Sequence, residues 1–193
     1  MDRPKQGPKP KDAPARKPYA LPAEIAAEIR RSFVGTVYQR EKLVSFMTDA
    51  AEAYDRHRYE EALRLAKNVA LTLPTVAPAQ ELAGLAAYRA QRYPMARKFL
   101  RAHFELTGDG QHLPLVIDCE RASRRYTLAR GTFTELLGSE PNIEVLSEGR
   151  IVFASTLADQ GKFQEAIELL VNAGASKVPV SYTHLRAHET RED

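Results

Sequence analysis

Apolar residues recur every three or four positions through most of the chain, the spacing that places them on one face of an α-helix. The first such stripe is formed by Ile25, Ile29 and Phe33, and Pro22 suits a first helical turn, so a helix is predicted over 21–35. Strict alternation of apolar and polar residues, typical of a half-buried strand, is absent from every segment. The predicted fold class is therefore all-α, with paired helices over 40–56 and 59–72, 78–91 and 93–107, 113–123 and 126–138, and 143–160 and 163–173.

The helix pairs share an internal repeat. In each pair an aromatic residue precedes an alanine by three positions, and the aromatics are 34, 33 and 37 residues apart: Tyr59 with Ala62, Tyr93 with Ala96, Tyr126 with Ala129, and Phe163 with Ala166. A small residue stands nine positions before three of these aromatics, at Ala50, Gly84 and Ala154. Small side chains let two helices cross closely, while the aromatics fill the space between neighbouring pairs. All of these residues are therefore predicted to be packing positions.

This pattern resembles the tetratricopeptide repeat, a helix–turn–helix unit of 34 residues that combines small residues, an alanine, a bulky residue and a closing proline. The closing proline is present twice, at Pro74 and Pro141. The resemblance extends to tetratricopeptide proteins of actinobacterial type, and it implies a right-handed α-solenoid of about four such repeats over 40–173. The alternative is an ordinary helical bundle in which alanines recur by chance in an alanine-rich chain.

In the resembled fold, the first helix of each repeat lines a concave groove. The resemblance therefore implies that the groove presents Tyr54, Asp55, Tyr88, Arg89, Asp118, Arg121, Ser155 and Asp159. Tyrosine gives rigid, amphipathic contact area, which suits binding an extended peptide or a partner helix. The arginines have two interpretations: they bind carboxylates of a ligand, or they pair with Asp55 or Asp118 inside the groove.

The two ends of the chain differ in composition from the repeat region. Residues 1–20 carry a net charge of +4 and five prolines, whereas the whole chain carries +3. Such a stretch has too little apolar surface to fold, so a disordered basic arm is predicted, either as a solubilising tail or as an attachment to nucleic acid. Residues 180–193 resemble a translated sequencing-library adapter and are predicted to be an artefact of a truncated fragment. We then expect an exposed apolar face on the last helix, and self-association there.

Composition and candidate chemistry favour a binding protein over an enzyme. Cys119 is the one cysteine, so an internal disulfide and a multi-cysteine metal site are excluded, and its expected place is the core. We predict no catalytic residue, no metal and no cofactor. No apolar run approaches the ~20 residues of a membrane helix, so no membrane contact and a cytoplasmic location are expected. The predicted function is a non-catalytic scaffold for another protein; the alternative is a nucleic-acid or ribosome-associated module that uses the basic arm.

Overall fold

The computed structural model describes residues 19–174, and the predictions for residues 1–18 and for 180–193 lie outside that range. Within it the chain is entirely helical apart from its turns, which confirms the all-α prediction for the described residues. A short 3-10 helix, Gly110–His112, lies between α5 and α6. The α-helices are α1 Ala23–Ser32, α2 Val37–Asp55, α3 Tyr59–Thr72, α4 Ala77–Arg89, α5 Tyr93–Thr107, α6 Leu113–Ala122, α7 Tyr126–Gly138, α8 Ile143–Ala158 and α9 Phe163–Gly174.

Local signals at the helix starts explain most of these bounds. α2 begins three residues before the predicted start because Thr36 and Gln39 form a reciprocal capping box, each side chain accepting the backbone N–H of the other. The side chain of Asn142 accepts the first free amides of α8, at 2.9 and 3.0 Å. Proline in the first turn, where no amide is needed, begins α4, α5 and α6.

After α1 the described helices form four pairs, α2–α3, α4–α5, α6–α7 and α8–α9, and the turn inside each pair has the same backbone geometry. The residue two positions before the second helix takes a left-handed φ between 55° and 74°, at His57, Gln91, Arg124 and Gly161. The next amide then donates to a carbonyl five residues back, from Arg58 to Ala53, Arg92 to Ala87, Arg125 to Glu120 and Lys162 to Leu157. This hydrogen-bond pattern is the Schellman ending of an α-helix, for which glycine is the usual left-handed residue. Only one of the four turns has that glycine.

The recurring alanines lie at buried positions. Ala62, Ala96 and Ala129 have no exposed surface and Ala166 has very little, while the preceding small residues Ala50, Gly84 and Ala154 are buried as well. At Gly84 the two helices approach closely, since an added Cβ would lie 2.5 Å from Leu100 Cδ2. Tyr59, Tyr93 and Tyr126 are half-buried, but Phe163 is exposed. Within the described residues no helix pair follows α9, so nothing there covers Phe163.

Each helix packs against the next one along the chain, and α2 with α4 and α6 with α8 also touch. Turns of a few residues between such neighbours make them antiparallel hairpins. The apolar core is formed by successive clusters along the helices. One includes Val69, Val76 and Phe99, and a later one includes Ile117, Phe133 and Phe153. The rings of Phe133 and Phe153 stack at 4.4 Å between centroids, joining α7 to α8. Every helix in residues 19–174 is too short or too polar to cross a bilayer.

Candidate partner-binding face

The eight residues predicted to line a groove lie on the first helices of the pairs, α2, α4, α6 and α8, with Asp159 directly after the end of α8. This set is called the first-helix face. Tyr54 and Tyr88 each lie in the last turn of their helix. Each ring packs edge-on against the tyrosine that begins the second helix of the same pair, Tyr54 on Tyr59 at 5.5 Å and Tyr88 on Tyr93 at 6.2 Å. The interplanar angles, 64° and 63°, are nearly the same. Two neighbouring pairs thus present the same aromatic arrangement.

The tyrosine hydroxyls reach forward to the next pair. Tyr88 donates a hydrogen bond to Asp118 Oδ2 at 2.8 Å, and burial together with that carboxylate raises the pKa of Tyr88 well above its ordinary value. The positive charge of Arg89 acts on the Tyr54 hydroxyl, and the Arg89 guanidinium lies 5.5 Å from the centre of the Tyr59 ring. Burial raises the pKa of Tyr54, and Arg89 partly opposes that shift. Both hydroxyls stay protonated at neutral pH and act as fixed polar contacts between pairs.

Arg121 connects the last two pairs. Its guanidinium donates to Asp118 Oδ1 at 2.9 and 3.0 Å and to Asp159 Oδ2 at 3.0 Å. This is the internal pairing that the sequence left open as one of two interpretations. Arg89 differs, since it interacts with the two tyrosines, while the charge of Asp55 contributes to the raised pKa of Tyr19.

Ser155 completes the face. It is exposed, and its hydroxyl donates to the carbonyl of Ile151 in its own helix. The predicted residues therefore share contacts from pair to pair, and the side chains of the face are already ordered by one another. The charge of Arg121 is neutralised within the face by Asp118 and Asp159.

Cys119 lies below this face, 1% exposed, which confirms the expected core position. Burial, with the nearby charges of Asp118 and Glu120, raises the pKa of the thiol to about 12. A nucleophilic cysteine requires a thiolate near neutral pH. The Cys119 thiol is protonated there and is unsuited to covalent chemistry.

Glu120 is a feature that the sequence analysis missed. Its carboxylate is fully buried and accepts hydrogen bonds from Arg97 Nε and from the Thr132 hydroxyl, both at 2.8 Å. The signal was present in the repeat: Glu120 occupies the position of Ala53, Ala87 and Leu157 in the other turns, a position that is buried in every pair. A charge at an otherwise apolar position indicates an internal ion pair, and here that pair ties α5 and α7 to α6.

A second missed feature is a cluster of three potential metal ligands: Glu81 of α4, His103 of α5 and His112 of the 3-10 helix. One ligand atom from each lies within 4.8 Å of the other two. His112 Nε2 lies 2.8 Å from Glu81 Oε1, and the two imidazole rings are 5.6 Å apart. The three residues are spread over 32 positions on three elements, so no local spacing in the sequence brings them together.

Comparison with protein-family models found no match for this chain, and comparison with curated proteins found no similar sequence. The likeness to tetratricopeptide repeats is therefore carried by the residues and by the recurring turn geometry alone.

Proposed function

We propose that the chain is a non-catalytic scaffold: about four tetratricopeptide-like helix pairs form a right-handed α-solenoid that binds a peptide or a partner helix on the first-helix face. The fourfold recurrence of the left-handed turn supports the repeat. A helix pair that repeats its turn, its small-residue crossing and its first aromatic rotates each neighbour by a similar amount, which is how solenoids form their concave surfaces. An ordinary helical bundle does not require the same left-handed turn to recur at equivalent positions, three of them non-glycine residues.

The observation that carries the binding proposal is the matched pair of tyrosines. Tyr54 and Tyr88 are half-buried, so part of each side chain is exposed, while the ring packs against Tyr59 or Tyr93. A side chain already fixed by its neighbours loses little conformational entropy when a ligand covers it. Two such rings one repeat apart fit a ligand that presents apolar side chains at a regular spacing, as an amphipathic helix or an extended peptide does.

The experiment starts from the full chain immobilised for selection of peptides from a random display library, with affinities then measured by fluorescence anisotropy. We expect Tyr54→Ala and Tyr88→Ala each to weaken the selected peptides at least tenfold. Leu71→Ala is the matched control, because Leu71 is half-exposed on α3, a second helix. Equal affinity in all three variants, with unchanged helical content by circular dichroism, would remove the first-helix face as the binding site.

Salt dependence and deletion of residues 1–20 separate the scaffold from the nucleic-acid alternative, which rests on the +4 charge of residues 1–20. Binding through phosphate contacts weakens steeply as salt is raised, whereas apolar contacts change little. We expect peptide affinity to stay within about twofold between 50 and 300 mM salt and to survive deletion of residues 1–20. The nucleic-acid alternative would be favoured if no peptide is selected and if an oligonucleotide binds at low salt but is lost both at high salt and on deletion of residues 1–20.

A further inference from the structure

The structure assigns a site for a divalent transition metal of the Zn²⁺ type to Glu81, His103 and His112, with three protein ligands and one open coordination position. It is independent of the partner-binding proposal, since none of the three belongs to the first-helix face defined above. Two imidazoles and a carboxylate form a ligand set that Zn²⁺ accepts in proteins, where a fourth position is then filled by water or another ligand.

The spacing of the ligand atoms fits a small ion. Bonds of 2.0–2.2 Å to a tetrahedral Zn²⁺ place neighbouring ligand atoms about 3.3 Å apart. The distances here span that value, from 2.8 Å between His112 Nε2 and Glu81 Oε1 up to the limit of 4.8 Å.

The orientation of His103 supports the assignment. Its Nδ1 lies 3.3 Å from the carbonyl oxygen of Ala77, which can only accept a hydrogen bond, so the proton belongs on Nδ1. The lone pair is then on Nε2, the other ring nitrogen. Metal-binding histidines ordinarily donate their second nitrogen to a carbonyl or a carboxylate in this way, because the contact fixes the tautomer and the ring orientation.

Burial and charge are also those of a metal site. His103 is 7% exposed and the His112 side chain 12%, whereas the Glu81 side chain is 37% exposed and gives access from solvent. The Oε1 atom of Glu81 lies at hydrogen-bond distance, 2.8 Å, from His112 Nε2. A divalent ion with this one carboxylate leaves a single net positive charge at an edge that water can reach, which limits the desolvation cost.

Binding would join the 3-10 helix to α4 and α5. The test uses the full chain with His184→Asn and His188→Asn as background, because those two histidines and Glu189 are a second possible source of ligands. Zn²⁺ is titrated by calorimetry after removal of metal with a chelator. We expect one equivalent to bind, and Glu81→Gln and His112→Asn each to weaken it at least tenfold. His57→Asn is the matched control, since His57 is an exposed histidine on another turn.

Two further measurements keep the result independent of folding defects. Zn²⁺ should raise the melting temperature of the background variant and of His57→Asn, and should leave that of His112→Asn unchanged. Co²⁺ in place of Zn²⁺ should give the intense visible absorption of a four-coordinate ion, lost in Glu81→Gln. The assignment is overturned if the background variant binds no Zn²⁺ at micromolar concentration, or if Glu81→Gln and His112→Asn bind it as tightly as the background.

Discussion

At the scale of single residues, burial decides the chemistry of the Cys119 thiol. In the unfolded chain its pKa is the ordinary 9.0, while in the folded chain it is raised to about 12. Above pH 9 the unfolded state therefore loses its proton first, and the free energy of unfolding falls as the pH rises, by at most ~1.4 kcal/mol per pH unit. Below pH 9 both states hold the proton and this contribution is complete.

We predict that Cys119→Ala flattens the decline in unfolding free energy between pH 9 and pH 11, whatever its effect at pH 7. Urea unfolding in the presence of a reducing agent measures it. The native thiol should also resist a thiol reagent at pH 8 and react fully in urea. Parallel pH profiles for the two proteins, or rapid labelling of the native chain, would show that the thiol is not held protonated by burial.

The repeated alanines could be predicted from the sequence, whereas the left-handed turn residues could not. The alanines at 62, 96, 129 and 166 were predictable because their small size is itself the property that a close crossing requires. The left-handed residues Gln91 and Arg124 were not, since glutamine and arginine carry no local preference for φ above zero. Histidine is enriched there, but positive φ is too uncommon for that enrichment to predict it at His57. Their conformation is imposed by the two helices that the turn must join.

At the scale of the element, the crossing of α4 with α5 depends on a missing side chain. A Cβ at Gly84 would lie 2.5 Å from Leu100 Cδ2 and 3.0 Å from the Leu100 backbone nitrogen. We predict that Gly84→Ala destabilises the chain by about 1 to 3 kcal/mol, because the helices must separate or Leu100 must leave its position.

Gly131 provides the matched control within α7. A Cβ there meets nothing within 4 Å, and alanine is the better helix former. We predict that Gly131→Ala raises the free energy of unfolding by up to about 1 kcal/mol. Both values come from urea denaturation of the full chain. If Gly84→Ala also raised the free energy of unfolding, Gly84 would not mark a close helix crossing.

Three helices also depend on one buried carboxylate. Removing Glu120 leaves Arg97 and the Thr132 hydroxyl without their acceptor, so we predict that Glu120→Ala costs about 3 to 5 kcal/mol. Glu135, which pairs with Arg101 but has a 43% exposed side chain, is the control. Its replacement by alanine should cost less than about 1 kcal/mol. Similar losses for the two variants in thermal and urea unfolding would contradict the importance of the buried pair.

Most element bounds were close to those predicted because helical periodicity and the proline starts are local signals. The exceptions have non-local or side-chain causes. The start of α2 is set by the Thr36 capping box, and the 3-10 helix at 110–112 follows Gly108, whose left-handed φ of 71° ends α5. That short helix then brings His112 to Glu81, a juxtaposition that no periodic pattern contains.

At the scale of the whole molecule, the first-helix face and the last helix differ in the character of their surfaces. In the first-helix face the polar side chains interact with one another, Tyr54 with Arg89, Tyr88 with Asp118 and Arg121 with Asp159. The last helix has the opposite character: a stripe at helical spacing remains 42–66% exposed, formed by Phe163, Ile167, Leu170 and Val171. Within the described residues nothing packs on it. A stacked repeat buries the corresponding side chains against its neighbour, so this stripe has the shape and polarity of an unfilled interface.

We predict that the full chain self-associates through this stripe and that Ile167→Glu weakens association at least tenfold, because a carboxylate would have to be buried against apolar side chains. Sedimentation velocity over a range of chain concentrations measures it. Leu71→Glu, at a half-exposed leucine on α3, is the control and should associate as the unmodified chain does. A chain that stays monomeric up to ~100 μM would contradict the prediction, because that limit leaves less than about 5.5 kcal/mol for association. If Ile167→Glu instead lowers the melting temperature without changing the sedimentation coefficient, the stripe is buried within a single molecule and is not a surface for association.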